Sequence, residues 1–192
     1  MMHNPQRPAN PPSGGKREPL AEAFRDFLST EGLMQVRDER GKFVMSSLRN
    51  WLLPGKLGAI RYGGEEIEQF SLSLPSLAGS ERQKCDFLSI LVHCGRENDY
   101  VVHVSGFARP PDYLLRANRK RVMVHGNAGK FACSGMADGS VTFLGGCGSH
   151  LGQYMMGGCI RVEGGLEMEG LALGMAGGGR IFHGDVLVAG KP

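Results

Sequence analysis

The strongest constraint on this chain is a repeat. The stretch VMVHGNAGKFACSGMADGS, residues 122–140, is followed at once by VTFLGGCGSHLGQYMMGGC, residues 141–159, and the two align on valine, glycine and methionine. Anchored on Gly126, the element returns at Gly145, Gly164 and Gly184, at spacings of 19, 19 and 20 residues. Two positions before each anchor stands a large apolar residue: Val124, Phe143, Val162 and Phe182. Four before stand Val122, Val141, Ile160 and then Arg180, the one break. Directly after the anchors come Asn127, Gly146, Gly165 and Asp185. Glycine, asparagine and aspartate best tolerate a positive φ, so this column predicts a sharp backbone corner once per period.

A V-x-V strand and a corner every 20 residues or so signal a solenoid of strands. One turn cannot bury its own apolar residues. Stacked on the next at ~4.8 Å, each valine meets the one below, and the strands pair in parallel. Met136, Met155 and Met175, trailed by Gly139, Gly158 and Gly178, are expected to fill the interior near a second corner. Val102, Val104 and Gly106 in VVHVSGF fit as a degenerate first turn, with Gly106 placed 20 residues before Gly126. A leucine-rich repeat would need a leucine ladder, which is absent. The expected fold is mainly β: a short right-handed parallel β-helix of about four turns over 101–192, preceded by a small α+β cap.

The 122–165 segment resembles the GXGXG repeat domain. That domain forms the C-terminal β-helix of the glutamate synthase large chain, the C subunit of formylmethanofuran dehydrogenase, and a subunit of the formyltransferase/hydrolase complex of methylotrophs. The likeness covers roughly residues 101–190, about half the chain. It implies a non-catalytic scaffold or assembly subunit, foremost in a formyl-transfer complex of one-carbon metabolism, where the unit is a separate chain. A structural subunit of a glutamate-synthase-like amidotransferase is the second implication. A carbohydrate-binding or carbohydrate-cleaving β-helix is a third reading, expecting aligned Asp, Arg or aromatic residues on one outer face.

Upstream, residues 1–19 are proline-rich and almost devoid of apolar residues, which predicts a disordered tail. Leu20, Phe24, Phe27 and Leu28 follow at helical spacing, with Gly32 as a stop. The runs LMQVRD, KFVMSSL, KLGAIRY, QFSLSLPSL and DFLSILVHCG read as strands, the last leading into VVHVSGF as a hairpin or first repeat. SLRNWLLPG reads as a short helix ended by Pro54. Residues 20–100 are thus expected to cap the N-terminal end of the solenoid.

The motifs carry little chemistry. GNAGK lacks Walker spacing, and in GGCGSHLG the third glycine of a G-x-G-x-x-G is Leu151. Cys147, Ser149 and His150 are adjacent in sequence, which does not make a nucleophile and its base. Cys133, Cys147 and Cys159 fall at different offsets of the repeat, so they form no thiolate column. His125 and His183 share an offset, with Leu144 and Glu163 between, and read as outward polar residues. Arg116, Arg119, Lys120 and Arg121 make the one basic cluster, a solvated rim without interleaved aromatics. The net charge of +3 argues for neither nucleic acid nor membrane as partner. Five cysteines without a CxxC pair suit reduced thiols in the cytoplasm. No catalytic, metal or cofactor site is expected. At the C-terminal end, VLVAGKP could fold across the last turn or leave it to another subunit or a second copy; docking of a protein partner is the favoured expectation.

Overall fold

A computed structural model describes residues 18–29, 57 and 60–191. Among the described residues three helices, α1 (Glu18–Ser29), α2 (Gly64–Ser73, continued by a 3-10 turn over Leu74–Ser76) and α3 (Glu81–Cys94), precede six strands. These are β1 (Asp99–His103), β2 (Arg121–His125), β3 (Ser140–Phe143), β4 (Gly157–Val162), β5 (Gly178–His183) and β6 (Val186–Gly190). The strands form one sheet in sequence order, parallel from β1 to β5, with β6 antiparallel at the end. The architecture is a parallel β-solenoid of about four turns, with the sheet as one wall.

Two inward columns run along this wall. Tyr100, Val122, Val141, Ile160 and Ile181 form one, and Val102, Val124, Phe143 and Val162 the other, all buried. Each such side chain contributes roughly 1.5–3 kcal/mol by leaving water. A third column on another wall, Ala128, Cys147 and Leu166, is joined by isolated parallel bridges.

The expected register needs two corrections. Val102 pairs with Val124, so the first turn spans 22 residues rather than 20. The shift is even and leaves the valines facing inward. At the last turn Ile160 pairs with Ile181 and Val162 with His183, a spacing of 21 rather than 20. A slip of one residue exchanges the faces of a strand. Phe182 is therefore not on the core ladder; Ile181 takes the inward place, and Phe182 lies half-buried beside Arg161, whose guanidinium is 5.1 Å from its ring centre.

The helical part also differs from expectation. QFSLSLPSL and DFLSILVHCG, read as strands, are the end of α2 and most of α3. Ser80 starts α3 with a capping box: its Oγ accepts from Gln83 N–H at 3.3 Å, while its own N–H donates to Gln83 Oε1 at 2.6 Å. That S-x-x-Q signal outweighs a short apolar run, which alone does not separate strand from helix. β1 is the first parallel rung, not half of a hairpin. The helix over Leu20, Phe24 and Phe27 forms as α1 and begins at Glu18, two residues inside the expected tail. The rest of that tail, the runs at 33–38 and 42–48, and the 47–55 helix lie outside the described residues; Leu57 and 60–62, the described part of KLGAIRY, form no strand. Phe24, Phe27, Phe70 and Phe87 cluster between the helices, with Phe87 ring centres 5.1, 5.3 and 5.7 Å from Phe24, Phe27 and Phe70.

Candidate functional site

The corner residues do their work by closeness more than by φ. Among Gly126, Asn127, Gly145, Gly146, Gly164, Gly165, Gly184 and Asp185, only Gly126 (φ 116°) and Gly184 (φ 56°) have positive φ. A Cβ on Gly145 would stand 2.4 Å from Gly126 O, and one on Gly164 would stand 2.6 Å from the Gly145 carbonyl carbon. Successive corners therefore stack backbone on backbone. Asn127 Oδ1 joins two turns by accepting from Gly146 N–H at 2.7 Å. Met136 and Met155 are buried and Met175 half-buried; Met136 Cε lies against Gly158, and Met155 and Met175 against Gly179.

Gly139 and Gly158, which trail the methionines at the second corner, are positive in φ, and most of the other left-handed residues form a motif that the repeat reading missed. Each turn carries three of them, alternating with ordinary residues: Tyr113, Leu115 and Ala117; Phe131, Cys133 and Gly135; His150, Gly152 and Tyr154; Gly170, Ala172 and Gly174. The non-glycine members each cost about 1–2 kcal/mol, and stacking holds them. In the first three turns the first and third donate their N–H to the following turn, and in the last three the second donates to the preceding one. Phe131 N–H reaches Ser149 O at 3.0 Å, Gly135 N–H reaches Gln153 O at 2.7 Å, and Cys133 N–H reaches Leu114 O at 2.8 Å. Rings stack along the first column, Tyr113 on Phe131 at 4.9 Å and Phe131 on His150 at 4.7 Å, with Arg82 of α3 lying 3.9 Å from the Tyr113 ring centre. Glycines at 135, 152, 170 and 174 were the available signal; the bulky residues in the same columns hid it.

At the N-terminal end, helices finish this ladder. Leu115 N–H points toward a turn that does not exist, and Ser89 Oγ of α3 accepts it at 3.0 Å while donating to Cys85 O at 2.7 Å. Ser71 Oγ of α2 does the same for β1, accepting from His103 N–H at 2.9 Å and donating to Glu68 O at 2.6 Å. The basic cluster belongs to this junction. Arg116 faces buried Asp86 at 3.8 Å, Lys120 Nζ donates to Gly95 O and Glu97 O at 3.1 and 2.8 Å, and Arg121 pairs with Asp99. Burial raises the Asp86 carboxyl above its ordinary range, against the pull of Arg82 and Arg116. The expectation of a solvated rim holds for Arg119 and Arg121, which are exposed, and not for half-buried Arg116 and Lys120.

At the C-terminal end, VLVAG folds back as β6, the first of the two alternatives raised by the sequence. Its pairing with β5 breaks between Ile181 and Phe182, leaving Val188 as a bulge. Bulges blunt a sheet edge against further pairing. Among the described residues nothing gives the opposite wall of the fourth turn such a cover. Gly170 and Gly174 occupy the donor positions of Phe131 and Gly135, and among the described residues neither N–H has an acceptor. Tyr154, Met156, Met168, Leu173 and Val186, all in the last two turns or the strand after them, are each more than half exposed.

The remaining candidates are dispersed. Cys133, Cys147 and Cys159 sit in three different columns, and burial pushes the first two thiols well up, so they stay protonated. Ser149 Oγ and His150 Nδ1 are buried without a hydrogen-bond partner among the described residues, and the His150 ring is spent on stacking. His125 and His183 do not share a column: His125 stacks on His103 at 4.6 Å, and His183 bonds Gly164 O at 2.9 Å. An open groove of about 400 Å³ runs between α2 and the outer sheet face, lined by Glu68, Asp99, Arg121, Met123, Ser140 and Thr142. Among the described residues no helix is long and apolar enough to cross a membrane. Comparison with protein-family models, curated proteins and solved structures gives no match to this chain.

Proposed function

We propose that this chain is a non-catalytic scaffold or assembly subunit of a multi-subunit enzyme complex, acting in the cytoplasm. The observation that carries the reading is the inequality of its two ends. One end is finished by the chain's own helices, and the other shows exposed apolar side chains and ladder donors that have no acceptor among the described residues. An incomplete solenoid end of this kind is suited to another subunit. The pathway rests on the resemblance to the GXGXG repeat domain. GLALG at 170–174 has the family's G-x-G-x-G form apart from one alanine, with left-handed residues at its first, third and fifth positions. Formyl-transfer complexes of one-carbon metabolism are the first choice, because there this unit is a separate chain.

The experiment is purification from the native host at native expression level, with a tag on the N-terminal side. Stoichiometric formyltransferase or molybdopterin subunits would support the first choice. Glutaminase or FMN-containing synthase subunits would replace it with the amidotransferase alternative. A stable, monodisperse monomer without partners would defeat the scaffold reading. A wall-binding role draws support from one observation, Asp99, Arg121 and Ser140 in register along the groove; saturable binding of an oligosaccharide, abolished by Arg121→Ala, would establish it.

A further inference from the structure

The open wall of the fourth turn also says what kind of surface fits it. The ladder supplies the first part. Continuation by one rung would place acceptors against Gly170 and Gly174 N–H, as Ser149, Glu169, Gln153 and Leu173 carbonyls do in the turns below. The partner must bring carbonyl or hydroxyl oxygens there, as Ser89 and Ser71 do at the opposite end.

Side chains supply the second part. Met168 and Leu173 protrude beside half-buried Leu171 and Met175, so the partner must be apolar at its centre. Buried polar donors inside an apolar contact need partners, which makes the contact specific rather than merely adhesive.

Charge supplies the third. From Val162 to Gly179 the chain carries Glu163, Glu167 and Glu169, all exposed, and neither Lys nor Arg. A second copy joined face to face by a two-fold axis would set these carboxylates against themselves, since such an interface repeats one patch on both sides. The bulge at Val188 likewise works against edge pairing of β6 with its own copy. A basic rim matches them and steers encounter.

We propose that the fourth-turn wall around Met168, Leu173, Gly170 and Gly174 is the docking face for a different protein. That partner's surface is apolar at the centre, exposes oxygen acceptors and is rimmed by Lys and Arg. This rests on the scaffold reading and assigns its partner-binding face.

The test replaces single residues of the full chain with benzoylphenylalanine in the native host, at Met168 or Leu173 and, as controls, at Leu72 or Met123. After irradiation, crosslinked peptides are sequenced. Crosslinks from 168 and 173 should exceed those from 72 and 123 several-fold and join a heterologous peptide with apolar and basic residues. They should fall several-fold in high salt or with Glu167→Lys combined with Glu169→Lys. Crosslinks to a second copy, to this chain's own residues or to an acidic surface would overturn the proposal. Crosslinks from 72 or 123 alone would overturn the assigned face and leave the scaffold reading intact. Absence of crosslinks at all four positions, with a monomeric protein, would end both.

Discussion

The two ends of this solenoid solve the same problem differently. Every turn offers N–H groups upward and downward, and the terminal turns have no neighbour on one side. At the N-terminal end two helices present serines whose hydroxyls accept from the ladder and donate back to their own helix. At the C-terminal end, among the described residues, β6 covers the sheet wall alone. Helices with well-placed hydroxyls meet a donor on each of two walls; a returning strand ends the repeat along one wall. The difference separates an end closed by helices from an end closed along one wall among the described residues.

The harshest way to break the comparison is to cut between the ends. Gly145→Val would drive a side chain into the Gly126 carbonyl, where neither backbone has room to move. It should cost more than about 3 kcal/mol and uncouple the last two turns from the capped half, seen as loss of a single cooperative melting transition. An unchanged melting curve would refute close corner stacking. The next effect is at the cap. Ser89→Ala leaves Leu115 N–H buried without an acceptor and should cost about 1–3 kcal/mol in denaturant unfolding, with Ser89→Thr recovering most of it. The matched change at the open end, Leu173→Asp, should stay within about 0.5 kcal/mol, because that side chain is exposed. Equal costs at the two ends would erase the distinction.

Thiol labelling sharpens the picture with a smaller readout. Cys85 is pushed up to about 12 by burial and by nearby Asp86, and burial also raises Cys133 and Cys147. Native protein should therefore release at most two thiols rapidly to a disulfide reagent, those of half-buried Cys94 and Cys159, with Cys94 slower because burial raises it as well. Rapid reaction of Cys133 or Cys147 would mean that the interior opens. The slightest effect is pH dependence at the capped end. Burial, with Arg119 and Lys120 nearby, lowers His93 below its ordinary value of 6.5. The unfolded chain then binds the proton more readily, so stability should fall as pH drops below 6.5 and through the lowered folded value. His93→Gln should flatten that slope in pH-dependent unfolding.

The parts legible in the sequence were those where residue type and position coincide. Val122, Val124, Val141, Phe143, Ile160 and Val162 stood at a strict spacing of 19, and the structure stacks them so. The last turn was misaligned because Gly184 mimics an anchor, although it stands one position ahead of the corner column; Gly164 aligns with Asp185. The alternating left-handed segments escaped notice because Tyr113, Leu115, Phe131 and Cys133 give no hint of positive φ. Neighbouring turns impose that conformation, not local preference. Local apolar runs outvoted the capping box at Ser80, and nothing local marks Ser71 and Ser89 as caps for strands far along the chain. The open wall is legible only as a C-terminal end with two possible covers, VLVAGKP or another subunit, because no local residue marks which wall β6 closes.

Hydrogen exchange resolved by NMR at single amides tests the central claim most directly. If the ladder is closed below and open above, the amides of Leu115, Phe131, Gly135 and His150 should exchange slowly. Those of Gly170 and Gly174, at equivalent places one turn further on, should exchange at nearly the unprotected rate. Uniform protection across all six amides in the isolated protein would contradict the account, since it would mean that the fourth turn is as complete as the first.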